Sequence, residues 1–330
     1  MKKALISRFC AYGDILHASF LPRLLKDQGY DVVDFEMNFK AYQLMCYNPF
    51  IDNIIFYEPT EQFPMYLMEK HWQVLSQGYD KFVNLYKSLE YGCLAMEDEN
   101  VYYQSDTVRR NRYGNINFYD KTCLDAGYPE LCGRYLGEVF YPQFEIDLVE
   151  HWMKEFKDKF TVMINLCGTG GHKEFHQAQE FVDRVRKEYK DVVFITTGGK
   201  EYEEYDLKGD DIVSIVGKKP FVQALLIAKY VDCLISCESG IAVGANMWGT
   251  PTIQLMTAAN LMNHQKYAIN DFSIQSPAYC SPCHKGCYSY IGCPSKEGRP
   301  LCVYFDMEII MEKFKEVYAL KKNGYNRVYA

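Results

Sequence analysis

No stretch of this 330-residue chain is apolar for long enough to cross a membrane. The opening Met-Lys-Lys-Ala-Leu-Ile-Ser-Arg places only three apolar residues together, too few for the core of a secretory signal. Positive charge is scarce as well. The 36 Lys and Arg against 43 Asp and Glu leave a net charge of -7, which weighs against a dedicated nucleic-acid binder. Thirteen cysteines, an odd and scattered set, point to reduced thiols in a cytoplasm and away from a disulfide framework. Both common nucleotide fingerprints are incomplete. Gly168-x-Gly170 lacks the third glycine of a dinucleotide loop, and the next strand ends in Thr196-Thr197 with no acidic ribose ligand. Gly199-Lys200 is followed by Glu201, where a Walker loop needs a hydroxyl.

What is present suits an ordinary globular protein, 48% hydrophobic and 24% charged, large enough for two domains. The 28 Tyr and 20 Phe fit a deep cleft and a plain core equally well. Residues 3–8 read as a first strand and 9–14 as its exit loop. Ile15, Leu16, Phe20, Leu21, Leu24 and Leu25 then recur at helical spacing, and Gly29 ends the run as a C-cap would. Strands at 31–36, 53–57 and 81–85 alternate with helices at 37–46 and 62–77. From 87 to 141 the pattern loosens, and 142–159 reads as a linker and an amphipathic helix. Alternation restarts with strands at 161–166, 192–196, 212–216, 232–236 and 251–255, and helices at 177–187, 221–229 and 241–247. A last helix covers 307–318. Strand–helix alternation of this kind builds a parallel sheet with crossover helices. The expected class is therefore α/β, with two Rossmann-like doubly wound domains at residues 1–150 and 151–330 facing across a cleft. Ligands in such sheets sit at the loops leaving the carboxyl ends of the strands.

The stretch 162–173, Val-Met-Ile-Asn-Leu-Cys-Gly-Thr-Gly-Gly-His-Lys, is a strand-length apolar run entering a glycine-rich turn. Gly168, Gly170 and Gly171 permit a sharp turn and close approach of backbone to ligand, and Lys173 adds a mobile charge. A helix start just beyond would suit a phosphate; an ordinary strand-to-helix turn explains the same residues. The second such place is Ser236-Cys237-Glu238-Ser239-Gly240. Ser239 and Gly240 can hold a diphosphate or ribose, and Glu238 suits sugar hydroxyls better than phosphate, although a plain helix cap is the alternative. The basic segment 107–113 contains Arg109, Arg110 and Arg112, read either as a cleft wall or as a solvated face. Cys280-x-x-Cys283 has zinc-ligand spacing, and Cys287, Cys293 and Cys302 follow at irregular gaps. Free thiols bracing a loop are preferred to a zinc site at Cys280, Cys283, Cys293 and Cys302.

The order and spacing of several short motifs resemble the family 9 glycosyltransferases, the group of the ADP-heptose:lipopolysaccharide heptosyltransferases, over nearly the whole chain. Those motifs are Arg8 with Tyr12-Gly13-Asp14-Ile15-Leu16, Gly168-Thr169 with Lys173-Glu174-Phe175, Gly198-Gly199-Lys200-Glu201, Gly217-Lys218, Glu238-Ser239-Gly240 ahead of Gly249-Thr250-Pro251, and Cys280-Ser281-Pro282-Cys283. The resemblance implies the two-domain GT-B fold, with the acceptor on the first domain, the donor on the second and the last helix returned against the first. It implies inverting, metal-independent transfer from a nucleotide diphosphate sugar, with no cofactor required; the chain has no Asp-x-Asp motif. Asp14 would be the general base, and Gly168, Thr169, Gly170, Gly171, Lys173, Glu238, Ser239 and Gly240 would hold the donor. Acceptor contacts are expected among Arg8, His17, Lys87, Arg109, Arg110 and Arg112. The acceptor would be a lipopolysaccharide or other surface glycan or glycolipid, in the cytoplasm or peripheral to the inner membrane. Glu238 stands where the family has Asp, and Val243 where it has His. Two further readings keep the fold: an enzyme that glycosylates nucleic acid bases, with the arginines holding phosphates, and a sugar-nucleotide binding protein without turnover. An oxidoreductase is disfavoured by the incomplete dinucleotide loop.

Overall fold

The alternating strands and helices form two parallel sheets in a computed structural model, which describes residues 1–9, 11–58, 65–286, 293, 295–296 and 299–324. The chain divides into two compact units, residues 1–92 with 118–142 and residues 93–117 with 143–330. A single boundary near residue 150 therefore does not describe the division, because 93–117 groups with the second unit.

The first unit contains β1 (Lys3–Ser7), α1 (Tyr12–Ala18), α2 (Leu21–Asp27), β2 (Val32–Met37), α3 (Phe39–Met45), β3 (Asn53–Phe56), α4 (Met65–Leu75), β4 (Lys81–Asn84) and most of α5 (Ser88–Cys93). Its sheet order is β3-β2-β1-β4, all parallel. β1 lies in the middle and is apolar on both faces, with Ala4, Leu5 and Ile6 fully buried, as a strand covered by helices on both sides must be. The single helix expected after β1 is two. Pro22 sits in the first turn of α2, where its missing N–H is harmless, and Ser19-Phe20 forms the turn between α1 and α2. Gly29, at φ +81°, closes α2 as expected.

Residues of β5 (Ala95–Met96) and α6 (Asp106–Tyr113) belong to the second unit, and α7 (Phe118–Asp125) to the first. The second unit continues with α8 (Gln143–Met153), β6 (Phe160–Asn165), α9 (Ala178–Glu188), β7 (Val192–Thr197), β8 (Ile212–Ser214), α10 (Phe221–Tyr230), β9 (Cys233–Cys237), α11 (Gly240–Met247), β10 (Thr252–Met256), α12 (Leu261–Gln265), β11 (Ile274–Gln275) and β12 (Lys285–Gly286). Its sheet order is β11-β10-β9-β6-β7-β8, again parallel. The order reverses direction at β6, so the exits of β6 and β9 are neighbours at a topological switch point. The final helix (Met307–Lys322) buries Ile310, Met311, Phe314 and Val317 in this unit's own core with Phe160, Phe181 and Phe194. Its apolar stripe is thereby covered within this unit. Among the described residues no helix is long and apolar enough to cross a membrane.

Candidate active site

In the first unit the chain leaves β1 through Arg8, which is only 1% exposed. A buried guanidinium needs its charge and its N–H groups answered. Arg8 donates to the Leu85 carbonyl at 2.6 Å and to Glu90 at 3.1 and 3.3 Å, and pairs with Asp14 at 3.1 Å. Arg8 is therefore a clamp between two carboxylates, not the acceptor contact expected of it. Asp14 keeps 22% of its side chain exposed. It lies inside α1, whose N-cap is Ala11 with no side-chain cap bond, so Asp14 is not the helix cap. His17, one turn on, is buried with its ring edge-on to Phe118 and Tyr119 at 5.2 and 4.7 Å, which removes it from the acceptor contacts. Lys87 is exposed where β4 ends, with its ammonium 5.6 and 5.2 Å from the Tyr86 and Tyr91 rings.

In the second unit the exits of β6, β9 and β10 converge on Glu238. The glycine turn after β6 closes on itself: the Gly168 N–H donates to the Lys173 carbonyl at 2.7 Å, and the Lys173 N–H to the Gly170 carbonyl at 2.9 Å. Gly170 takes φ +93°, and a Cβ on Gly168 would lie 2.6 Å from the Glu238 carbonyl oxygen and 2.9 Å from the Lys173 Cβ. Both positions require glycine. Gly168→Ala is expected to destabilise the protein by about 1–3 kcal/mol, seen as a lowered urea midpoint, because the β6 and β9 exits must separate to admit the methyl group. Thr169 is exposed at the tip and Gly171 opens a short 3-10 turn, Gly171–Lys173. α9 starts at Ala178, one residue past the expected 177, and the Gln177 side chain is held by both backbone groups of Phe305. The helix that begins at a strand exit is α11. Ser239 caps it, its Oγ accepting from the Ala242 N–H at 3.3 Å, and Gly240 is its first residue.

Glu238 is 4% exposed. Its Oε1 accepts the Thr257 and Ala259 N–H groups at 2.8 and 3.1 Å, which fixes the β10 exit, and its Oε2 stands 3.8 Å from the Lys173 ammonium. Burial pushes its carboxyl up, but Lys173, His264, His172 and the Thr257 N–H outweigh burial and hold it below the usual value. His172, His264 and His284 surround this carboxylate and were not singled out from the sequence. Burial pushes each of the three down to about 4, against the opposing pull of Glu238. His284 is tied between strand ends, its N–H donating to Ala258 at 2.8 Å and its carbonyl accepting from Ala95 at 2.7 Å. The site thus combines one lysine, one buried carboxylate, neutral imidazoles and a helix N-terminus at a switch point, a setting suited to an anionic ligand that also carries hydroxyls.

No protein-family model and no curated protein matches the chain. Solved structures do. A family 9 glycosyl transferase from Veillonella parvula superposes with a TM-score of 0.69 over 96% of this chain and 97% of its own, at 13% identity. The fold is that of a family 9 glycosyltransferase. The E. coli ADP-heptose lipopolysaccharide heptosyltransferase II follows at 0.64, covering 98% of this chain and 100% of that one at 11% identity. The dodecameric iron-containing heptosyltransferase of enterotoxigenic E. coli, solved with ADP-D-beta-D-heptose, gives 0.61 over 96% of this chain and 76% of its own at 10% identity.

Within this glycosyltransferase fold the basic segment is structural. Arg109 is buried and donates to the Cys283 carbonyl at 2.8 Å and the Tyr102 carbonyl at 3.1 Å, with Gln104 and Asp106 as further partners. Arg110 donates to the carbonyls of Pro282, Tyr279 and Ser281 at 2.9–3.3 Å. Both guanidinium groups brace 279–283, and Arg109 is buried in doing so. Arg112 stays exposed, 4.0 Å from Glu99. Cys280 and Cys302 are buried, and burial raises both thiols. Cys287 lies outside the described residues. Among the described residues no three His, Cys, Asp or Glu gather as a metal site, and Cys283, Cys293 and Cys280 all add to the upward push on Cys302.

Proposed function

We propose that this protein is an inverting, metal-independent glycosyltransferase that moves a sugar from a nucleotide diphosphate sugar to an acceptor hydroxyl on a lipopolysaccharide or other surface glycan. The observation that carries the donor half is the convergence of Lys173, Glu238 and the N-terminus of α11 at the β6–β9 switch point. The glycosyltransferase fold supports the same reading. In the proposed reaction Asp14 takes the proton of the acceptor hydroxyl, whose oxygen attacks the anomeric carbon from the side opposite the diphosphate. The bond from that carbon to the diphosphate oxygen breaks, and configuration inverts. Lys173 and the N–H groups that open α11 neutralise the charge growing on the departing diphosphate. Glu238 faces the hydroxyls of the donor, since a carboxylate beside a diphosphate is otherwise repulsive.

Lys173→Ala is expected to weaken binding of ADP or UDP by roughly 1.5–3 kcal/mol, the range for hydrogen bonds to charged groups, and also to lower the melting temperature, because it leaves the buried Glu238 carboxylate without its cation. Isothermal calorimetry on the two proteins measures this directly. An unchanged affinity would sink the donor assignment.

A further inference from the structure

Arg8 serves two carboxylates, and the proposed reaction uses only one of them. Its backbone N–H donates to the Glu36 carbonyl at 3.1 Å, which ties it to β2. The Leu85 N–H donates to the Ser7 carbonyl at 2.9 Å, so the end of β4 is locked beside the end of β1. The Leu85 carbonyl then accepts from Nη1 of Arg8 at 2.6 Å. A guanidinium fixed in this way does not move to its partners; the carboxylates come to it. Asp14 comes from the first turn of α1, with its Oδ1 3.1 Å from Nη2. Glu90 comes from α5 and engages both of its oxygens, Oε2 accepting from Nη1 at 3.1 Å and Oε1 from Nη2 at 3.3 Å. The turn from β4 into α5 holds Lys87 at φ +55°, a region that disfavours residues with a side chain. Such strain persists only where the surroundings impose it, and it sets the start of the helix that carries Glu90.

A carboxylate alone beside a guanidinium is drawn down by roughly 1–3 pH units and makes a poor base. A second carboxylate on the same cation opposes that pull, because it answers the positive charge itself. The other ionisable groups do not replace Arg8 in this balance. On α1 they are Tyr12 and His17, the latter enclosed by Phe118 and Tyr119. α3 and α7, which pack on α1, carry Lys40, Tyr42, Asp120, Lys121 and Asp125. Of the cations, Lys40 and Lys87 are exposed, and Lys121 is paired with Asp125.

We propose that Glu90 is a positioning residue for Asp14: by answering the charge of Arg8, it lets the guanidinium orient Asp14 while leaving that carboxylate basic enough to take a proton. This rests on the reading of Asp14 as the base; the sharing of one guanidinium between two carboxylates does not.

An NMR titration of the full chain, isotope-labelled at the aspartate carboxyl carbons, tests it, with Asp14→Asn to identify the Asp14 signal. Glu90→Gln keeps an oxygen for Arg8 and removes the charge. In this variant the Asp14 midpoint is expected to fall by about one pH unit, a tenfold loss of basicity. The fall should persist at high salt, since a charge acting through a buried guanidinium is screened far less than one acting through solvent. Should Glu90→Gln fail to fold, the unaltered protein labelled at both Asp and Glu carboxyls decides alone. Its Asp14 and Glu90 curves are expected to show reciprocal inflections, as coupled sites titrate together. An unmoved Asp14 midpoint in folded Glu90→Gln, a shift abolished by salt, or independent single-step curves in the unaltered protein would each overturn the proposal. A shifted midpoint with normal turnover in both Glu90→Gln and Asp14→Asn would support the shared guanidinium and remove Asp14 as the base.

Discussion

Asp14→Asn is expected to lower turnover by a factor on the order of 10²–10⁴, the usual contribution of a positioned base. The melting temperature and the affinity for nucleoside diphosphate should hold. Asparagine keeps the shape of the side chain and an oxygen for Arg8, which stands 3.1 Å from the carboxylate, but it cannot take a proton. Loss of a helix cap would not explain a fall in rate, because α1 is entered through Ala11 and Asp14 makes no cap bond. The change does remove one negative charge facing a buried arginine. Glu90 remains on the same guanidinium at 3.1 Å, which keeps the cation paired. A steady-state assay beside a thermal melt separates the outcomes. Near-normal rates in Asp14→Asn would show that another group takes the proton. A parallel loss of rate and melting temperature would assign Asp14 to the fold.

Acid should destabilise the protein well before its carboxylates are protonated. His172, His264 and His284 are each held down to about 4 by burial, whereas an unfolded histidine titrates near 6.5. Above about pH 6.5 both states are neutral at these rings, and the contribution is constant. As pH falls below that value the unfolded chain binds protons that the folded chain cannot, so stability is lost, and the loss continues until pH 4. By pH 5 each histidine accounts for roughly 2 kcal/mol, and three together for a large fraction of the stability of a typical domain. Glu238, held below its usual range, stays ionised through this window and does not offset the trend. Urea unfolding at pH 7.5, 6 and 5 reads the effect as a falling midpoint. A midpoint that stays level from pH 7 to 5 would mean that these rings are charged or solvated in the folded protein.

Local features were the ones legible in the sequence. Gly29 at φ +81°, the turn at Gly168 and Gly170 and the hydroxyl cap at Ser239 follow from neighbouring residues alone, and so does the alternation that builds both sheets. The break between α1 and α2 was written there too, as Pro22, but the apolar spacing carried through it and masked it. What could not be read depends on partners far away in the chain. Arg8 finds Glu90 82 residues on, and Arg109 finds the Cys283 carbonyl 174 residues on. A basic cluster such as Arg109 to Arg112 looks the same in sequence whether it meets solvent, phosphate or carbonyl groups. The three histidines about Glu238, and Asp14 with Glu90 on Arg8, come together only when strand exits are brought side by side.

The central claim is that the second unit binds a nucleotide diphosphate sugar, and a thermal-shift titration of the full chain with ADP, UDP, GDP and their common sugars tests it most directly. At a hundredfold excess over Kd one of these ligands should add about 2.7 kcal/mol of stability, with the shift reduced in Lys173→Ala. No stabilisation by any nucleoside diphosphate, or an equal shift in Lys173→Ala, would contradict the account.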